Sequence, residues 1–368
     1  MRALMIRRDI IKNKMEISQA AQRFFEFKLA PSKASKGNED LLRFDLAEGL
    51  LNSDKKYSAL PDKNPQHLKE ILAEFVSCDS DNIAFFAGAD EIIEIVPRLY
   101  LNYGDASLIV TPVFSRLIDT NVKVGAEVIT YALSEDHNFK LTDQDVVNIV
   151  EIVKLKKIKV IWLCSPSNPT GVPIAVSKIK RLSTLCPDSL VVVNEVYQEY
   201  YSLNPKESAG SLIDSCSSLV VIRSFSKAFG LAGLRIGYAV ASKRIIENFT
   251  RYKTMFNVSA VAQEEALRVL TTKAEIEKLI SLTSLLRDQI QESIGILNNF
   301  EFIESKTNFI FMRHKTKDLF EELYRRGILV SDWRNAKGVE GRGFVRISVN
   351  SQRLNTILIE SLKDINKS

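Results

Sequence analysis

An α/β fold, with helices covering a mostly parallel sheet and a smaller α+β domain behind it, is what this 368-residue sequence predicts. Three observations carry that expectation. Short apolar runs alternate with segments of helical period from about residue 68 to 250. Most of the runs are apolar almost throughout, as strands buried on both faces of a parallel sheet are. After residue 250 the texture changes to long helical patterns followed by a few strands. The expected organisation is an arm at 1–45 packing on the small domain, a large domain at 46–250 and a small C-terminal domain at 251–368.

The first 45 residues lack a strong period. "LKEILAEFVSC" (68–78) spaces its apolar residues along one helix face, and "NIAFFAG" (82–88) is short and apolar like a buried strand. Asp90 opens a helix over 90–103, its carboxylate suited to the positive helix start. Strands are expected at 106–114, 126–133, 158–166, 190–197, 219–225 and 234–241, with helices at 143–156 and 174–186 between some of them. Helical periods then fill 260–300. Strands follow at 308–314, 327–333 and 344–350, with a helix near 316–326. No internal repeat or low-complexity segment interrupts the pattern.

Composition narrows the function classes. Hydrophobic residues at 45% and charged ones at 26% are ordinary for a globular chain. The net charge of +5 is mild, and "VKLKKIKV" (153–160) reads as a solvated helix end leading into a strand, so no nucleic-acid groove is expected. The N-terminus is too charged for a secretory segment, and no run of eighteen apolar residues points to a membrane span. Cys78, Cys164, Cys186 and Cys216 are scattered, which argues against a zinc site or disulfide framework and fits a cytoplasmic setting. With three histidines, none beside a nucleophile, a histidine triad or metal mechanism has little to work with. No G-x-G-x-x-G follows an early strand, so a dehydrogenase is disfavoured.

In such sheets ligands gather where strands end and helices begin. "FFAGADE" (85–91) sets Gly88, Ala89 and Asp90 at a helix N-terminus that favours a phosphate. "RSFSKAFGLAGLR" (223–235) offers the hydroxyls of Ser224 and Ser226 beside Lys227, with Arg235 further on. Hydroxyls and an arginine can hold a phosphate, and a lysine in the same pocket can take an aldehyde. "SPSNPTG" (165–171) presents Asn168 as a donor, and "TPVF" (111–114) presents the ring of Phe114. "LVVVNEVY" (190–197) ends an apolar run on Asn194 and Tyr197. Each piece alone has a plain structural explanation: a capped turn, a proline-rich loop, a core ring, an exposed strand face. One cofactor, pyridoxal 5'-phosphate, asks for all of them together.

The stretches "GADE", "SPSNPTG", "NEVYQEY", "RSFSKAFGLAGLRIGY" and "FVRISVN" resemble, in order and rough spacing, the fold-type I aminotransferases. The similarity is greatest to the histidinol-phosphate aminotransferase group and its relatives that decarboxylate amino-acid phosphates, and it covers about residues 55 to 355. It implies that Lys227 bonds the cofactor aldehyde as a Schiff base and later moves a proton between the substrate Cα and the cofactor carbon. It implies that Ser224, Ser226, Arg235 and the backbone of Ala89 and Asp90 hold the phosphate. Phe114 takes the stacking position, usually a tyrosine, and Asn168 and Tyr197 meet the phenolate oxygen. Tyr57 would reach the phosphate of the neighbouring subunit in a homodimer, and Arg346 would grip the substrate carboxylate.

Three departures accompany the resemblance. Asn194 stands where the family has an aspartate beside the ring nitrogen, and an amide supplies no charge to keep that nitrogen protonated. Ser331 stands where the histidinol-phosphate group commonly has an arginine for the substrate phosphate, with Arg334 three residues on as a substitute. The family's N-terminal recognition motif is poorly represented in "RFDLAEGLLNS" (43–53). The expected function is amino transfer between a small amino acid, free or phosphorylated, and a 2-oxo acid, with Lys227, Tyr197 and Asn194 as the catalytic set. A decarboxylase on the same scaffold is the second reading. The third is a cofactor-binding protein whose turnover Asn194 impairs.

Overall fold

The structure, a computed structural model, describes residues 16–26 and 59–367. Seven strands form the larger sheet: β1 (Ile83–Phe86), β2 (Ala106–Thr111), β3 (Glu127–Ala132), β4 (Val160–Cys164), β5 (Leu190–Asn194), β6 (Leu219–Ser224) and β7 (Gly237–Ala241). Their spatial order is β1-β7-β6-β5-β4-β2-β3. Strand β7 runs antiparallel to both neighbours, and the remaining adjacent pairs are parallel. The apolar runs of β2, β4, β5, β6 and β7 are buried at every residue. Edge strand β3 is partly exposed along its length.

Helices cover both faces: α1 (Gln19–Glu26), α2 (Gln66–Val76), α3 (Ala89–Tyr100), α4 (Arg116–Lys123), α5 (Asp143–Lys156), α6 (Val176–Leu185), the single turn α7 (Gln198–Tyr201) and α8 (Lys243–Tyr252). The two-residue alternation of the strands divides the core. Ile161, Leu163, Val191 and Val193 belong to one cluster with Leu72 of α2, Ile149 of α5 and Ile179 of α6. Trp162, Val192 and Ile222 belong to the other with Ile93 of α3, Leu117 of α4 and Phe249 of α8. Each such aliphatic side chain, fully buried, contributes about 1.5–3 kcal/mol. Helix α5 begins where the sequence placed it because Thr142 and Asp145 form a capping box. Asp145 N donates to Thr142 Oγ1 at 3.1 Å, and Thr142 N donates to Asp145 Oδ2 at 2.7 Å.

The C-terminal part holds α9 (Ala260–Thr271), α10 (Lys273–Gly295), β8 (Phe300–Ile303), β9 (Phe309–His314), α11 (Leu319–Tyr324), β10 (Ser331–Asp332), β11 (Val345–Ser348) and α12 (Gln352–Lys367). Its four strands form an antiparallel sheet in the order β10-β11-β9-β8. Ile290 and Ile294 of α10, Ile310 and Met312 of β9 and Leu358 and Leu362 of α12 make its core.

Some elements differ from the expected ones. The helical pattern over 260–300 is two helices, and its end turns into β8, whose "FEFI" is too short for its period to be read. The strand expected at 327–333 is reduced to the two residues of β10. Helices α4, α8 and α12 were not anticipated. In the described part of the N-terminal arm, α1 packs on α3 and α8. Ser18 anchors it there, N donating to Leu99 O at 2.6 Å and Oγ donating to Arg98 O at 2.8 Å. Residues 1–15 and 27–45 of that arm lie outside the described residues.

Candidate active site

Register brings the ends of the strands to one edge of the sheet. Cys164 lies opposite Asn194, Asn194 opposite Ile222, and Ser224 and Phe86 both opposite Gly237. The turns leaving β1, β2, β4, β5 and β6, and the turn entering β7, therefore converge. Together with Arg346 of β11 they enclose a cavity of about 250 Å³. Ala89, Asp90, Phe114, Asn168, Asn194, Tyr197, Ser224, Ser226, Lys227, Arg235 and Arg346 all line it, joined by Ile93, Val196 and Ala232. Tyr57 lies outside the described residues. Ser331 and Arg334 do not line the cavity. Arg334 donates from Nε and Nη2 to Asp332 at 3.0 and 2.8 Å and pairs with Asp318.

One end of the cavity is built for an anion. Helix α3 starts at Gly88 with no side-chain cap, which leaves its first N–H groups unpartnered within the helix. Gly88 has φ +81°, and a Cβ there would sit 2.6 Å from Arg235 Nη2. A Cβ on Gly237 would sit 2.7 Å from Ala89 N. Only glycine permits this approach of the two turns. Ser226 N donates to Ser224 Oγ at 3.0 Å, turning both serines around the same end. Arg235 pairs with Asp90 at 3.1 Å, but both side chains are about half exposed (48% and 51%), so the pair is weak enough for a stronger anion to displace.

At the other end the polar groups form a chain. Arg346 Nη1 donates to Asn168 Oδ1 at 2.7 Å. Since arginine only donates, the facing atom is the amide oxygen, and the Asn168 NH2 is left to donate elsewhere. Arg346 Nε is buried with no partner among the described residues. The Tyr197 ring meets Phe309 edge-on at 5.0 Å and lies 5.5 Å from Lys227 Nζ. Burial pushes the Tyr197 hydroxyl up to about 12, with Arg346 opposing, so it stays a donor. The Lys227 amine is held below its usual basicity by burial first, then by Arg346, with Asp90 opposing and Arg235 adding to the effect. Asn194 is buried, and its Oδ1 accepts from Val196 N at 3.4 Å.

Behind Asn194 a buried ionic group fixes the turn. Glu195 accepts from Ser208 Oγ at 2.6 Å and Ala209 N at 2.7 Å, and Arg223 donates to Glu199 at 2.8 Å and to Glu195 at 3.4 Å. Sequence reasoning passed over these three residues. Their signal was a charge inside the apolar run "LVVIRSF" and a pair of glutamates four apart.

This donor set fits pyridoxal phosphate: an amine of lowered basicity, an anion cradle that a Cβ would fill, an aromatic face from Phe114, and an orphaned arginine nitrogen for a substrate carboxylate. Among the described residues no group of three His, Cys, Asp or Glu is placed to hold a metal, and no helix is long and apolar enough to cross a membrane. The family described as aminotransferase class I and II matches residues 20–362. The chain is 30% identical over 344 residues to a histidinol-phosphate aminotransferase of Ruminiclostridium cellulolyticum, covering 93% of each. Its fold superposes on an L-threonine-O-3-phosphate decarboxylase from Porphyromonas gingivalis with a TM-score of 0.70 at 24% identity, covering 85% of this chain and 92% of that one. A histidinol-phosphate aminotransferase from Sinorhizobium meliloti in complex with pyridoxal-5'-phosphate gives a TM-score of 0.75 at 21% identity, covering 84% and 83%.

Proposed function

The chain belongs to the class I and II aminotransferases, and we propose that its strand-end cavity moves an amino group between a small amino acid, free or phosphorylated, and a 2-oxo acid. It is a pyridoxal-phosphate-dependent enzyme. What carries the site assignment is a coincidence of place: the Lys227 amine, the uncapped start of α3 and an Arg346 Nε without a partner among the described residues belong to residues lining one cavity of about 250 Å³.

Bound there, the cofactor supplies an aldehyde and an electron-accepting ring. The N–H groups of Ala89 and Asp90, the hydroxyls of Ser224 and Ser226 and the Arg235 guanidinium would hold its phosphate. Phe114 would cover the ring face, Asn168 and Tyr197 would donate to the phenolate oxygen, and Asn194 would meet the ring nitrogen. Lys227 would hold the cofactor through its aldehyde and would move the proton at the substrate Cα; burial lowers the basicity of its amine, the direction that role needs. Arg346 orients the substrate by its carboxylate. We also place the enzyme in the cytoplasm as a homodimer. The scattered free cysteines favour the first, and the sequence position of Tyr57 the second.

Incubating the full chain and cofactor with a panel of amino donors and 2-oxo acids tests this reading, with histidinol phosphate among the donors because the R. cellulolyticum relative is named for it. Transfer gives the donor's carbonyl product and the acceptor's amino product in equal amounts. Release of carbon dioxide without transfer would assign the decarboxylase reaction instead, and neither product would overturn the proposal.

A further inference from the structure

The turn that carries the anion cradle is braced from outside the cavity. Glu91, in the first turn of α3, accepts from Ala87 N at 2.6 Å and from Asn257 Nδ2 at 2.7 Å. Lys253, just past α8, donates from Nζ to Phe85 O at 2.9 Å and to Asn257 Oδ1 at 2.9 Å, and lies over the Phe86 ring at 5.6 Å. Asn257 follows Phe256, whose φ of +59° is rare for a bulky residue and costs energy that the surrounding bonds must offset. Glu91 and, 166 positions later, Asn257 with its near neighbour Lys253 thus grip both ends of the segment Phe85–Ala87 that leads into Gly88. Electrostatics explains why a lysine ends the chain. A carboxylate at this helix start orients the turn but opposes an incoming phosphate, and a cation bridged to it offsets that opposition.

Resting on the cofactor assignment above, we propose that Lys253, Asn257 and Glu91 are positioning residues that hold the Phe85–Gly88 turn and neutralise its carboxylate, thereby setting the affinity of the cradle for the cofactor phosphate. Burial lowers Lys253 to about 8, with Glu91 raising and Lys69 of α2 lowering it further. Lys253 also borders a cleft shared with Lys63, Asp81, Lys243, Glu247 and Arg251, so solvent reaches it. Lys253 is therefore mostly charged at neutral pH and loses its proton as pH rises through about 8. The offset to Glu91 is present below that pH and lost above it.

Pyridoxamine 5'-phosphate is a suitable probe because it carries the phosphate and ring but no aldehyde, which removes the bond to Lys227 from the measurement. Its dissociation constant with the cofactor-free full chain is measured by fluorescence titration between pH 6.5 and 9.5. Wild-type affinity should weaken as pH rises through about 8. Lys253→Met should weaken binding roughly tenfold or more at pH 7 and flatten the profile. Lys253→Arg should recover much of the affinity. Glu91→Gln added to Lys253→Met should restore it too, since Gln keeps an acceptor for Ala87 N without the charge, a rescue that a misfolded variant would not show. Wild-type affinity and pH profile in Lys253→Met, or a double variant as weak as Lys253→Met, would overturn the bridge alone. A wild-type chain that binds neither this probe nor pyridoxal phosphate would overturn the cofactor assignment with it.

Discussion

The Asn194 carboxamide is buried and its oxygen accepts from Val196 N at 3.4 Å; with its NH2 facing a ring nitrogen it would supply a donor and no charge. A donor there stabilises an unprotonated nitrogen, whereas a carboxylate would hold a proton on it. The ¹⁵N resonance of the ring in the cofactor-loaded protein should therefore be that of an unprotonated pyridine at neutral pH, and Asn194→Asp should shift it to the protonated position. A protonated ring in the wild type would contradict this geometry. The position was legible in the sequence because a polar residue at the end of an apolar run points at something. The same holds for Asn168, Tyr197, Ser224 and Lys227, each just after such a run. Glu91, Lys253 and Asn257 were not legible as a group: their contact spans about 166 positions and no local pattern announces it.

Strand β6 carries a second ionic feature. Arg223, buried between Glu195 and Glu199, ties it to the turn that bears Asn194 and Tyr197. Removing the cation leaves two buried carboxylates without their partner, which costs about 3–5 kcal/mol where a buried pair is broken. Arg223→Met should lower the urea midpoint clearly, while Arg223→Lys should lose less; a midpoint unchanged in Arg223→Met would show the group carries little. At this scale the sequence spoke most clearly where elements are long or fully buried. Helix α5 was read to both ends because its capping box and amphipathic face agree. β8 was missed and β10 drawn too long because four and two residues show no period.

The small domain meets the large one at several contacts, one of them at the cavity. Arg346 reaches Asn168, Arg313 of β9 reaches Glu135 at 2.6 Å, and Gly171 lies against Ser305 so closely that a Cβ would stand 2.0 Å from its Oγ. Gly171 also has φ +74°, so alanine is excluded by backbone and by space. Gly171→Ala should cost about 1–3 kcal/mol and, by moving β11 away, should raise KM for carboxylate substrates more than it lowers kcat. An unchanged KM would mean the Gly171–Ser305 contact does not position Arg346. That the glycine belongs to a turn was readable from "SPSNPTG"; what it packs against depends on a residue 134 positions later and was not. Among the described residues, convergence of the strand-end turns makes Lys227 the lysine lining this cavity. Borohydride reduction of the cofactor-loaded full chain, followed by peptide mass spectrometry, tests that most directly. The cofactor should be fixed to Nζ of Lys227 and lost in Lys227→Ala, and its recovery on another lysine, or on none, would contradict the site.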